Sequence, residues 1–474
     1  MNKQQRASSH LALPQSLSQA KFSKNVLLHS AGILSCGLYL YLGAITSIAI
    51  DSNLWQFLGL MLTLSLISWM IFKVLSSTSI DSALSSPPSI IAIVGWAIAF
   101  RLIGMAHGPI YEDDFYRYLW DGYQFFQNGT PYAIAPSAFF ADESVPQTFQ
   151  RVLDGINYPD TPTIYGPLFQ YSFLLGYHIF PADVFGLQLI YSIADILLML
   201  LLAKMSTRPA LLLYAWCPLA IKEVAFTAHP DVLGVLLLMG SIFALQREHL
   251  NAAAFFLALS LCAKIFAILL VPLVLVRCKP QQWLLFFATV ILIYAPFFAI
   301  NSADITGLSA FARDWQFNGS VHALISHWQR FTHLPDWLPK LFGAAVFCTF
   351  YIIYSWYFFN DKQRRPPRGD WIFAMFFLLA PVVNAWYLVW LLAFATLFPS
   401  RWAWVASLTV LLSYVTGAAL DQTDLAIYQQ PLWARILEYG AIMVALVFDI
   451  RANIKQPTAI ELDIESSERL KFSS

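Results

Sequence analysis

The feature that most constrains this chain is the recurrence of apolar runs near 20 residues long, each enough to carry a helix across a hydrocarbon core about 30 Å thick. They occupy 26–50, 54–75, 89–106, 183–204, 209–226, 231–246, 250–263, 264–277, 281–300, 338–359, 371–384, 385–398, 401–420 and 433–450. In lipid every backbone N–H and C=O must find a partner within the protein, and continuous apolar runs of this length select helices. The runs predict an all-α, polytopic transmembrane bundle of about 12–14 spans, with the short runs 231–246, 250–263, 264–277, 371–384 and 385–398 setting the range. Only 12% of residues are charged, against about 25% in soluble domains. Lys+Arg and Asp+Glu both number 28, so there is no overall basic face for nucleic acid. Cys36, Cys217, Cys262, Cys278 and Cys348 lie in or beside apolar stretches with no CxxC pair and no zinc-like spacing; neither disulfide nor metal is expected of them.

Two basic anchors set the expected topology. The first 25 residues carry Lys3, Arg6, Lys21 and Lys24 but no short apolar core before a cleavage site, which reads as a cytosolic arm. The loop 360–370 holds Lys362, Arg364, Arg365 and Arg368 and belongs inside by the positive-inside rule. Counting between them leaves Lys204, Arg208, Arg247, Arg277 and Lys279 inside, and 107–164, His229–Asp231, 301–337 and Asp421–Asp424 outside. The count holds on one condition, that 165–180 is a half-crossing or surface helix. The expected organisation is a cytosolic arm 1–25, a membrane-embedded body 26–450 with an extracytoplasmic loop 107–164, and a mobile cytosolic tail 451–474, with no internal repeat.

The loop 107–164 concentrates eight acidic residues (Glu112, Asp113, Asp114, Asp121, Asp142, Glu143, Asp154, Asp160) against Arg117 and Arg151. Loops are polar by default, but the run Tyr111–Gln127 sets Tyr111, Phe115, Tyr116, Tyr118, Trp120, Tyr123, Phe125 and Phe126 among the carboxylates, the pattern of an amphipathic helix at the membrane interface. On that helix Asp113, Arg117 and Asp121 follow at i, i+4 and i+8, an ion-pair ladder. Asp114 lies about 100° round from Asp113 and shares a stripe with Tyr118, which makes it the carboxylate best placed to face a substrate.

These residues resemble the GT-C class of multi-pass glycosyltransferases, and most closely the bacterial alpha-mannosyltransferases that use polyprenol-phosphomannose. The resemblance begins at Glu112-Asp113-Asp114-Phe115-Tyr116-Arg117-Tyr118-Leu119-Trp120-Asp121-Gly122 and continues at Gly129-Thr130-Pro131-Tyr132, Asn157-Tyr158-Pro159 and Pro162-Thr163-Ile164-Tyr165-Gly166-Pro167-Leu168. Shorter similarities follow at His229-Pro230-Asp231, Lys264, Phe317-Asn318-Gly319-Ser320 and Ala385-Trp386-Tyr387-Leu388-Val389-Trp390. It implies a catalytic carboxylate at Asp114, with Asp113 beside it, in the pattern Asp-x-x-x-Tyr that ends on Tyr118. It further implies substrate contacts at Arg117, Asp121, Tyr165, His229, Asp231, Lys264, Asn318, Trp386 and Tyr387. The implied partners are a polyprenyl-phosphate hexose donor, mannose first, a glycolipid or glycan acceptor outside the cell membrane, and the bilayer. Two departures, Pro230 and Gly166, bear on the donor pocket.

Chemistry supports this assignment without requiring a cofactor. A sugar phosphate carries its own leaving group, so an inverting displacement by an acceptor hydroxyl needs one carboxylate base and cationic groups for the phosphate. Lys264 stands alone among apolar residues 252–276, where a charge is costly, unless it snorkels from a helix end. His229 is a candidate contact to donor phosphate or acceptor hydroxyl, with Asp231 orienting it or acting as a helix N-cap. Arg313 and Asn318 suit a solvated outer segment, and Trp386, Tyr387 and Trp390 interfacial anchors as well as sugar stacking. Asp195 and Lys222/Glu223 read as intramembrane pairs without an assigned role. Asp113 and Asp114 together leave a divalent cation open, although Arg117 beside them argues against it. The competing class is a transporter or flippase of lipid-linked sugars, whose usual internal repeats this chain lacks.

Overall fold

The computed structural model describes residues 24–46, 53–77, 89–132, 134–300, 305–332, 335, 337–361, 365–420, 425, 426 and 428–452. Most of the arm 1–25, nearly all of the tail 451–474, Lys362 and Arg364 of the basic loop, and Asp421–Asp424 lie outside the described residues. The chain is helical throughout its described part, and its one β-type pairing is an isolated parallel bridge between Phe317 and Val382.

Three long helices open the fold, α1 (Lys24–Ile45), α2 (Leu54–Ser76) and α3 (Ile90–His107). The loop region contributes α4 (Asp114–Asn128) and α5 (Gln147–Asp154), followed by α6 (Pro167–Ile179) and the long α7 (Val184–Met205). Then come α8 (Arg208–Ala215), α9 (Pro218–Ile221), α10 (Asp231–Gln246), α11 (Leu250–Ala263), α12 (Val271–Leu275) and α13 (Pro280–Ala299). Two amphipathic helices, α14 (Ile305–Asp314) and α15 (Val321–Thr332), precede α16 (Leu338–Asn360), α17 (Gly369–Leu379), α18 (Leu388–Leu397), α19 (Arg401–Thr409) and α20 (Leu432–Ala452).

Apolar runs and full-length spans do not correspond one to one. Among the described residues six helices (α1, α2, α3, α7, α13 and α16) are long and apolar enough to cross a membrane, and a seventh results if α8 and the segment Pro218–Phe226, bent by 47°, form one span. Most of the other apolar runs are broken into helices too short to cross alone, α10, α11, the segment Ile265–Leu275, α17 and the segment Ala385–Leu397, while the run 433–450 lies in the unbroken α20, which is long enough but carries Arg435, Glu438 and Asp449. Backbone breaks explain the difference from the expected 12–14. Pro218 follows an extended Cys217, Lys264 is extended at φ −150° and ψ 136°, and Asn384 is extended before a short 3₁₀ turn. Such breaks are tolerated at membrane depth only where protein or a cavity surrounds the freed backbone groups. The helix α6 has 13 residues, a length of about 20 Å at 1.5 Å per residue, short of the hydrocarbon thickness.

Lipid and core faces separate cleanly. Leu284 and Leu292 on α13 and Ile352 on α16 are 68–72% exposed, as expected of side chains that face acyl chains. The interior holds a buried charge pair: Arg101 Nε donates to Asp195 Oδ2 at 2.6 Å, Arg101 Nη1 to Ala97 O and Ala215 O, and Tyr214 OH to Asp195 Oδ1. This ties α3, α7 and α8 together and gives Asp195 its partner. Close packing of α4 on α6 requires Gly122, where a Cβ would sit 2.5 Å from Phe173 O.

Candidate active site

The acidic triplet is presented by a turn. Tyr111 takes φ 55°, an unusual conformation for a side chain of its size, and its buried ring packs edge-on against Phe57 at 4.9 Å. The next residues, Glu112, Asp113 and Asp114, line a cavity as the chain enters α4. Asp114 is the first residue of that helix, where backbone N–H groups and the helix dipole favour a carboxylate.

Of the expected ladder only half forms. Arg117 Nε donates to Asp121 Oδ1 at 3.1 Å, whereas Asp113 precedes the helix and takes Asn157 Nδ2 at 2.6 Å on each oxygen. The i, i+4 geometry fails there because Asp113, at φ −124° and ψ 2°, is not helical. Burial and the neighbouring Asp114 charge push the Asp113 carboxyl up to about 6, against the pull of Asn157. Asp121 is fully buried and accepts Thr163 Oγ1 at 2.5 Å and Gln170 Nε2 at 2.9 Å in addition to Arg117. Burial still outweighs these partners and raises its pKa. Since Arg117 Nη2 also donates to Thr161 O, Asp121 and Arg117 fasten the loop 161–163 to α4; Asp121 does not line the cavity, while Arg117 does.

Around Asp114 the sequence brings in distant residues. Tyr165 OH donates to Asp114 Oδ2 at 3.3 Å and lies 3.5 Å from Tyr118 OH. Tyr118 stacks on Phe173 at 4.8 Å and 9°, which fixes the plane of its ring. His229 Nε2 is 4.0 Å from Asp114 Oδ2 on the other side, and its ring stacks on Trp386 at 3.9 Å and 14°.

Asp231 does not orient His229 and is the first residue of α10, whose N-cap is Pro230. It accepts Lys264 Nζ at 2.6 Å and Trp390 Nε1 at 2.7 Å on the same oxygen. Lys264 stands at the C-terminal end of α11, where the chain breaks, with its ammonium over the rings of Tyr387 (4.1 Å) and Phe266 (4.7 Å), and lines the cavity. Gly166 makes this junction possible, since a Cβ there would meet Cys262 O at 2.4 Å. Asn318, at φ 49° and buried, donates to Glu438 Oε1 at 3.0 Å while Tyr439 OH donates to its carbonyl. It fastens the segment after α14 to α20 and stands behind the cavity wall, whereas exposed Arg313 pairs with Asp314.

Sequence spacing missed a polar group beside Asp114. Tyr414 OH donates to Glu112 Oε1 at 2.7 Å and contacts Lys222 Nζ and Glu223 Oε1; Lys222 Nζ is 3.1 Å from Glu223 Oε1. Burial and the adjacent carboxylates raise the Glu112 pKa against the attraction of Lys222. The adjacent Lys-Glu pair in an apolar run was the available signal; the partners Glu112 and Tyr414, 302 positions apart, left none. No group of three or more His, Cys, Asp or Glu is arranged to hold a metal among the described residues.

The acidic turn opens on a cavity of about 1180 Å³. Its lining includes Glu112, Asp113, Asp114, Arg117, Asn157, Tyr165, Lys264, Trp386 and Tyr387 together with the apolar Ile265, Ile268, Ile291, Phe298, Phe347 and Phe376, whereas Tyr118, His229 and Asp231 do not line it. A family model described as alpha-(1->6)-mannopyranosyltransferase, N-terminal domain, matches residues 42–279, half of the chain. No curated protein and no solved structure matches it. The matched half contains the acidic turn, α4, His229, Asp231 and Lys264, and the chain thus belongs to the MptA_B family of alpha-(1->6)-mannopyranosyltransferases and is a membrane mannosyltransferase.

Proposed function

We propose that the protein is a GT-C-type enzyme of the bacterial cell envelope that transfers mannose from a polyprenyl-phosphate donor to a hydroxyl of a glycolipid or glycan outside the membrane, with inversion. The observation that carries this reading is the mixed lining of the cavity. It combines Glu112, Asp113, Asp114, Arg117 and Lys264 with apolar side chains of α13 and α16, with Lys340 of α16 also on the wall, and Ile291 and Phe298 are exposed. A substrate with a charged head and a long apolar tail fits such a surface; a nucleotide sugar has no use for the apolar side chains.

The acceptor oxygen attacks the anomeric carbon from the face opposite phosphate, and Asp114 takes its proton. Tyr165 holds the carboxylate in place through its 3.3 Å hydrogen bond. Phosphate departs with the electron pair of the broken bond and needs positive charge. Lys264 supplies it, since only one of its three N–H donors is committed to Asp231. Trp386 and Tyr387 offer ring faces to the sugar, and no cofactor enters the scheme. The acidic turn and α4 face outward, with both termini in the cytosol.

Purified protein in detergent, given polyprenyl-phosphate mannose or GDP-mannose with a mannoside acceptor, tests the reading. Transfer from the lipid donor alone, with inverted product linkage, is expected. Asp114→Asn lowers kcat by about 10²–10⁴-fold, the usual share of a general base, and preserves donor binding. Transfer from GDP-mannose, or an active Asp114→Asn, overturns it.

A further inference from the structure

Behind Asp114 lies a histidine whose environment the displacement itself does not use. His229 is 1% exposed and clamped by its stack on Trp386, so its ring plane is fixed. Nδ1 lies 2.9 Å from Glu223 Oε2, within pairing distance. Nε2 faces Asp114 at 4.0 Å and has no hydrogen-bond partner. A buried acceptor or donor without a partner is uncommon in folded proteins and calls for a reason. The backbone is shaped around this pair: residues Lys222–Phe226 widen into a π-helix, Gln188 Nε2 caps the freed carbonyls of Ala225 and Phe226, and His229 N donates to Glu223 O.

We propose that His229 and Glu223 form a proton relay behind Asp114, in which His229 receives the proton that Asp114 takes from the acceptor and Glu223 is the positioning residue that stabilises the imidazolium. This rests on Asp114 being the base. The acceptor oxygen bonds to the anomeric carbon as the bond to phosphate breaks and phosphate keeps the electron pair. The hydroxyl proton passes to Asp114 Oδ2 and then to the Nε2 lone pair of His229, while the Nδ1 proton stays toward Glu223. A turn of the Asp114 side chain, or one water, closes the 4.0 Å gap. Once products leave and water refills the cavity, the proton returns through Asp114 to solvent. The relay keeps Asp114 ionised while lipid and acceptor shut water out, and so opposes return of the proton to the new glycosidic oxygen. The charges that face this group are Asp114, Glu112, Glu223 and Asp231 against Lys222 and Lys264, with Tyr118, Tyr165 and Tyr414 the other titratable neighbours.

The test is the kcat–pH profile of mannosyl transfer from polyprenyl-phosphate mannose by the full-length protein. The wild type loses activity toward acid through an ionisation that persists in Asp113→Asn and is lost in His229→Gln, because a protonated imidazole cannot accept, leaving only the acid limb of the base Asp114 itself. His229→Gln lowers kcat by about 10²-fold, the low end for proton-transfer groups, with donor KM unchanged. Glu223→Gln moves the ionisation to lower pH, since loss of an adjacent carboxylate disfavours imidazolium, and Glu223→Asp restores it in part. Wild-type kcat in His229→Gln, with an inactive Asp114→Asn, overturns the relay and keeps the base; an active Asp114→Asn removes both. If His229→Gln does not fold, unchanged profiles in the Glu223 variants overturn the proposal. So does a wild-type profile with no acid-side ionisation beyond the one that Asp113→Asn removes.

Discussion

Gly166→Ala tests whether the junction between the 162–166 loop and the break at Lys264 sets catalytic geometry. The backbone of Gly166, at φ −63° and ψ 159°, suits alanine, so the substitution carries no torsional penalty. A Cβ there would lie 2.4 Å from Cys262 O and 2.8 Å from Ala263 O. Carbon–oxygen contacts normally begin near about 3.3 Å, so the two segments must separate by about 0.9 Å, and both obstacles are backbone. Alanine restricts the unfolded chain, a gain of about 0.4–1 kcal/mol, which roughly offsets the loss of glycine's modest N-cap preference, at most about 1 kcal/mol. Overpacking remains, at about 1–3 kcal/mol.

The residues on either side of the clash are Tyr165 and Lys264, which reach Asp114 and Asp231 at 3.3 Å and 2.6 Å. A displacement near 1 Å at reacting groups can cost about 10²-fold in rate. Gly166→Ala is therefore expected to lower kcat by about 10–10²-fold while the protein stays monodisperse and melts a few degrees lower. Gly129→Asn is the control: that glycine has φ 70° and no atom within contact of a Cβ, and asparagine tolerates the left-handed C-cap it occupies. The reasoning fails if Gly166→Ala keeps kcat within about twofold of wild type, since a shift of 0.9 Å at this junction is then without effect on the chemistry.

Asp113 makes stability depend on pH. Its folded pKa of about 6 exceeds the ordinary 3.8, so the native state binds the proton more tightly and loses stability as pH rises from about 3.8 to about 6. The melting temperature of Asp113→Asn, relative to wild type, should climb across that window; a constant difference rejects the shift. Asp121→Ala removes the shared acceptor of Arg117, Thr163 and Gln170 and is expected to cost about 3–5 kcal/mol, seen as loss of monodisperse protein, whereas Asp121→Asn retains an acceptor and is milder. With the native cysteines replaced, a cysteine at Ser137 should react with an impermeant maleimide from outside the cell and one at Glu248 only after permeabilisation, and the reverse pattern inverts the topology.

The class of fold was legible because lipid leaves so few options: the apolar runs could only be helices. The helix expected within 111–127 is observed as Asp114–Asn128, and the i, i+4 rule placed Asp114 and Tyr118 on one stripe, where Tyr165 meets both. What spacing cannot see is a partner from elsewhere in the chain. Asp113 was assigned to Arg117 because Arg117 was four residues away, but Asn157 is nearer in space. Asp231 was assigned to His229 for the same reason, and Lys264 holds it instead. Span count suffered differently: hydropathy registers that a run is apolar and is silent on whether its backbone continues, so the extended Lys264 and the turn at Cys217–Pro218 were invisible to it.

Those interruptions explain why the site is where it is. An unbroken helix in a bilayer satisfies its own backbone and offers a substrate only side chains. The widened turn at Lys222–Phe226 releases carbonyls that Gln188 satisfies, and the break at Lys264 leaves the carbonyls of Cys262 and Ala263 packed against Gly166. In return, the first interruption aims Glu223 and His229 at Asp114, and the second sets Lys264 against Asp231 on the cavity wall. Charge and irregular backbone thus coincide because each requires what the other provides. A buried lysine or glutamate needs polar surroundings that a regular apolar helix lacks, and an interrupted helix needs protein around it that a lipid face lacks. In a chain this apolar, a charged residue at the point where a run breaks is accordingly a sharper guide to a cavity than a charged residue within an intact span, as the cavity-lining Lys264 and the core-locking Arg101–Asp195 pair illustrate.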